Sequence, residues 1–147
     1  MRRSLVLPLL AALLLATASC GTGTPLPLAV RIGVDRYTPA MSSVPGLPIE
    51  VSSVEGASVH VTCDAGSLSL WGPETDSRVE NHGRSLRMTP PFTAYWSPYS
   101  GEDASETAWP DKATIEVTAT REGRPSKTRR VDITTAEDGF YAATVRP

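Results

Sequence analysis

Three features of residues 29–147 predict an all-β fold, a single antiparallel sandwich of about seven or eight strands. Apolar and polar residues alternate with a period of two in run after run. No eleven-residue window past Leu28 keeps the 3.6-residue period of an amphipathic helix. Most of the 13 prolines fall between the runs, where a missing N–H is harmless. Strands with one apolar and one polar face belong to antiparallel sheets that cover a core on one side and meet water on the other.

The runs follow in order along the chain. Leu28, Val30, Ile32 and Val34 alternate with Ala29, Arg31 and Gly33. Leu47, Ile49 and Val51 form the second set, and Val59, Val61 and Cys63 the third. After the turn Asp64-Ala65-Gly66 come Leu68 and Leu70, then a short run at Leu86 and Met88. Ile115, Val117 and Ala119 alternate with threonines and Glu116, and Arg121-Glu122-Gly123-Arg124 suits a tight hairpin because glycine supplies the positive φ. Val131 and Ile133 follow, and Tyr141, Ala143 and Val145 close the chain.

The whole chain has 147 residues, which fits one domain. Lys+Arg is 14 and Asp+Glu is 16. That balance argues against a strongly basic nucleic-acid binder. Apolar residues make up 40% and charged residues 20%, a globular composition.

The amino-terminal segment reads as an address. Arg2 and Arg3 precede an apolar stretch from Leu5 to Ala18. Fourteen helical residues rise about 21 Å, short of a ~30 Å hydrocarbon core, so the pattern is that of a signal peptide at residues 1–19. The segment Thr17-Ala18-Ser19-Cys20-Gly21 resembles the lipobox of bacterial lipoproteins, with Thr17 where that family usually carries leucine. The resemblance implies that Cys20 becomes the first residue, carries the lipid and holds the protein to the cell envelope, at an outer or plasma membrane. Residues 20–28 would be a short Gly/Thr/Pro stalk and 29–147 the folded domain. Cys63 is then the remaining thiol, expected as a small buried hydrophobe. Without Arg2 and Arg3 there are 12 basic and 16 acidic residues, a charge of −4.

Two stretches resemble immunoglobulin-like domains. Gly56 to Cys63 looks like that family's strand B, and Glu137-Asp138-Gly139-Phe140-Tyr141-Ala142-Ala143 looks like its tyrosine corner, with Ala143 in place of the second cysteine. Alternatively, Ala113–Thr120 with Val131–Thr134 resembles the terminal hairpin of bacterial Ig-like modules. The two alignments place different strands at the family's F position. Either implies an immunoglobulin-like sandwich, and neither implies a function. The turn after Cys63 suggests a hairpin within one sheet.

Catalytic motifs are missing. There is no G-x-S-x-G, G-x-x-x-x-G-K-[ST], H-E-x-x-H or C-x-x-C. His60 and Cys63 are three residues apart on a strand and point to opposite faces. No cofactor is expected. Glu102, Asp103, Glu106 and Asp111 lack the ordered ligand spacing of a calcium loop.

Two clusters stand out. Five of the nine aromatics lie between Phe92 and Trp109. Tyr95, Trp96, Tyr99 and Trp109 are the candidate ligand contacts, since rings stack on the apolar faces of sugars and nearby carboxylates accept their hydroxyls. The competing reading makes Trp96 the core tryptophan. Arg121, Arg124, Lys127, Arg129 and Arg130 form a basic hairpin, a patch for an anionic partner or a charged guard on a sheet edge. The sequence thus predicts a membrane-tethered, non-catalytic module with a glycan as ligand. The alternative is an assembly protein that meets another envelope protein through a sheet edge or the basic hairpin.

Overall fold

The computed structural model describes residues 23–40, 43–99 and 109–147. The strands are β1 (Leu28–Ile32), β2 (Leu47–Ser53), β3 (Ser58–Cys63), β4 (Ser67–Leu70), β5 (Glu80–Gly83), β6 (Ser85–Met88), β7 (Phe92–Ser97), β8 (Lys112–Arg121), β9 (Arg124–Thr135) and β10 (Tyr141–Arg146), with a 3-10 turn at Pro73–Thr75. The first sheet runs β1-β2-β7-β4-β5 and the second β10-β9-β8-β3-β6. All pairings are antiparallel.

Alternation along each strand makes the core. Ile49 and Val51 of β2, Leu68 of β4 and Ala94 and Trp96 of β7 face inward from the first sheet. Val59, Val61, Ile115, Val117, Val131 and Ile133 face inward from the second. Trp96 has no exposed surface. Its indole N–H donates to the Ala65 carbonyl at 2.9 Å, and its ring meets Tyr141 edge-on at 5.1 Å. Gly66 makes this close approach workable. Its φ is +75°, and a Cβ there would lie 2.2 Å from the Ser97 carbonyl oxygen.

The strand neighbours β1-β2-β7-β4 and β9-β8-β3-β6 match the A-B-E-D and G-F-C-C′ neighbours of immunoglobulin sandwiches, but β4 here precedes β6 in the chain. The first alignment with that family fails. Its B and F strands belong to opposite sheets, whereas β3 and β10 share one. Tyr141 is no tyrosine corner either. Its hydroxyl donates to Pro110, 31 residues upstream rather than a few. The second alignment captures a real hairpin, β8–β9, though β10 follows it. The turn after Cys63 crosses from the second sheet to the first instead of staying in one.

Both ends of the sandwich follow from register. The hairpin end holds the β8–β9 turn, the β2–β3 turn and the start of β1, because Ser58 pairs with Thr120 and Leu28 with Ser53. The opposite end holds the β3–β4 turn, the loop after β7 and the start of β10. There Tyr37 and Tyr141 bridge the two sheets through paired backbone bonds of 2.9 and 2.7 Å. Burial pushes the Tyr37 phenol up to about 12.

The stalk expected over residues 20–28 does not include residues 24–28, which belong to the folded domain. Leu26 is 2% exposed and belongs to the core, and residues 24–28 are strapped to β9. Residues 1–19 and Cys20, expected as signal peptide and lipid site, lie outside the described residues. Among the described residues, no helix is long and apolar enough to cross a membrane.

Candidate functional site

The four aromatic residues singled out by the sequence do not form one platform. Trp96 points inward from β7 and is wholly buried, so it presents no face to a ligand. Tyr95, its chain neighbour, points outward, as alternation demands. Tyr99 and Trp109 pair edge to face at 5.4 Å beyond the end of β7, and Trp109 stays exposed. Tyr99 and Tyr95 are four residues apart, about 13 Å of extended chain. Of the four acids near this segment, Glu102, Asp103 and Glu106 lie outside the described residues. Among the described residues, no three potential metal ligands cluster.

Tyr95 instead meets a residue that no sequence pattern singles out. Trp71 follows β4, and its ring stands edge to face with Tyr95 at 5.9 Å and 71°. The Trp71 indole N–H donates to the Ser77 carbonyl at 3.2 Å, which holds the ring in place. Directly after Trp71 the chain turns sharply. Gly72 adopts φ +147°, a region reserved in practice for glycine. Thr75 closes the 3-10 turn through its hydroxyl, which donates to the Arg78 carbonyl at 2.5 Å and also pairs with the Gly72 backbone. That compact turn carries Glu74 over the outer face of the first sheet.

The result is a trough across the strands. One cavity of about 460 Å³ is lined by Trp71, Gly72, Glu74, Ser77, Thr93 and Tyr95, among others. A second of about 420 Å³ is lined by Ala29, Arg31, Glu50, Ser52, Glu74 and Thr93, among others. Both share Glu74, Phe92 and Thr93, so they adjoin. The trough crosses from β1 through β2 and β7 to the end of β4, about 14 Å at normal strand spacing. Register fixes its polar groups. Arg31 lies opposite Glu50, and Glu50 opposite Thr93. Burial first, then the carboxylates of Glu74 and Glu50, hold the Tyr95 phenol above its usual value. It is therefore a hydrogen-bond donor at neutral pH.

Chemically the trough is rich in hydrogen-bonding groups. It offers two carboxylate acceptors, a guanidinium and hydroxyl donors around an aromatic corner, and cavities of this size suit small ligands. His60 and Cys63 point to opposite faces, as the spacing requires. His60 hydrogen-bonds Ser85 at 2.8 Å on the outside, while Cys63 is buried, a free thiol among the described residues.

The basic hairpin also divides. Arg130 faces outward and shares Asp132 with Arg146, and the two guanidinium groups hold that carboxyl below its usual range. Arg124 and Arg129 turn instead to backbone carbonyls of the amino-terminal strap. The free sheet edges at β5 and β6 are four residues each and carry Glu80, His82 and Arg87, a protected arrangement. No family model, curated protein or solved structure matches this chain.

Proposed function

We propose that this chain is a lipid-anchored, non-catalytic module of the bacterial cell envelope, and that the trough on its first sheet binds a glycan. The anchor rests on the sequence around Cys20. The ligand rests on one observation: Trp71 and Tyr95 form an aromatic corner beside Glu74, Glu50, Arg31 and Thr93. A sugar ring has apolar C–H faces for the rings and hydroxyls that both donate and accept. The corner supplies the first contact, and the charged and hydroxyl groups supply the second. A rigid sandwich holds them in position without paying ordering entropy on binding.

The test is titration of the mature chain with envelope polysaccharides, followed by tryptophan fluorescence. A saturable change is expected, because Trp71 lies in the site. Trp71→Ala should weaken binding at least about tenfold, the loss of one ring's stacking contact. Trp109→Ala should leave affinity unchanged. A response that survives Trp71→Ala and vanishes in Trp109→Ala would move the site to the opposite end of the sandwich.

A further inference from the structure

The strap before β1 determines which end of the sandwich the tether leaves from. The Arg124 guanidinium donates to the carbonyls of Thr24 and Pro25 at 3.2 and 3.4 Å, and Arg129 donates to Leu28 at 3.4 Å. The Leu26 N–H reaches the Pro125 carbonyl at 3.4 Å. Gly23 lies against the same proline, since a Cβ there would stand 3.3 Å from its Cδ. Residue 23 is thus held beside the β8–β9 turn. Cys20 is three residues earlier, within about 11 Å by chain length alone.

Charge is gathered at that same end. Arg124 and Arg129 bind neutral carbonyls, so their charge is not cancelled. Arg121 and Lys127 make no ion pair among the described residues. The acids at this end are Glu55 and Glu122 on its turns and Glu74 on the outer face of the first sheet. The opposite end carries Asp35, Asp64, Asp111, Glu137 and Asp138 against Arg36, Arg84 and Lys112. A chain that is acidic overall therefore concentrates uncancelled basic charge where its tether emerges.

We infer that the hairpin end is a second membrane contact, seated on anionic phospholipid head groups around the anchor. This rests on the lipid-anchored reading above. A lipid chain alone leaves a module free to pivot, whereas basic side chains within a Debye length of the surface, about 8 Å, add attraction and fix its orientation. The strands then stand upright from the bilayer, and the trough opens sideways along it.

The chain contains two lysines, which makes the test internal. Lys127 lies near the hairpin turn, and Lys112 lies at the other end of the same hairpin, about 24 Å away along the strands. The lipidated chain is reconstituted on phosphatidylcholine vesicles, with or without about a third phosphatidylglycerol, and labelled with an amine reagent before mass spectrometry. The Lys127-to-Lys112 labelling ratio should fall at least about threefold on the anionic vesicles. It should recover in about 0.5 M salt, where screening is strong, and in the exposed-site variant Arg121→Glu. An unchanged ratio on vesicles that carry the protein overturns the inference. A chain that does not float with neutral vesicles overturns the anchored reading, and this inference with it.

Discussion

Tyr95 and Trp96 are chain neighbours with opposite tasks. One lines the trough, and the other fills the core. The sequence showed that adjacent strand residues must diverge, yet it did not tell which ring turned inward. That choice depends on which face of β7 meets the second sheet. Trp71 was illegible for another reason. It lies past the end of β4, in no periodic pattern, and only the cross-strand neighbour Tyr95 gives it meaning. Cys63 was readable from alternation alone, as an inward residue of β3. Burial pushes its thiol from an ordinary value near 9 up to about 11. The raised value favours folding fully below pH 9, and that advantage disappears as pH rises through about 11. A two-unit shift corresponds to about 3 kcal/mol at most. Urea unfolding of the chain and of Cys63→Ala should show the stability gap between them shrinking from pH 8 to 11. A constant gap would mean that the thiol ionises as easily folded as unfolded.

At the level of elements, the alternating runs were legible because each pairs a dry face with a wet one. Two strands escaped: β5 breaks that rule, whereas β7 keeps it under a misleading local sequence. Glu80–Gly83 is a wholly polar edge segment, and Phe92–Ser97 follows two prolines and places two aromatics side by side. The strap at residues 24–28 was hidden by its composition. Gly, Thr and Pro read as a flexible spacer, and nothing local signals that Leu26 enters the core. Leu26→Ala should therefore cost about 2–5 kcal/mol, the usual loss for a buried leucine. A true stalk residue would cost nearly nothing. Urea midpoints at constant slope distinguish the two.

For the molecule as a whole, length predicted one domain and alternation a sandwich, but its charge polarity is a product of topology. Arg121 to Arg129 and the amino-terminal strap meet because β1 and the β8–β9 turn share an end. The same arrangement has a mechanical meaning. Hydrogen bonds between antiparallel strands run across the strand axis. The described chain enters β1 at the hairpin end, and β1 is joined to β2 over five residue pairs and β2 to β7 over five more. A load applied between the start of β1 and the far end of β7 strains every rung of these ladders together in shear. The same load applied at the near end of β7 opens them one at a time. Stretching the molecule between its amino terminus and a handle at Pro98 should require at least about twice the force needed with the handle at Pro91, given rungs that act in parallel rather than in succession. For the binding proposed above, outward drag on a ligand across β2 and β7 would meet the sandwich along its stiff direction.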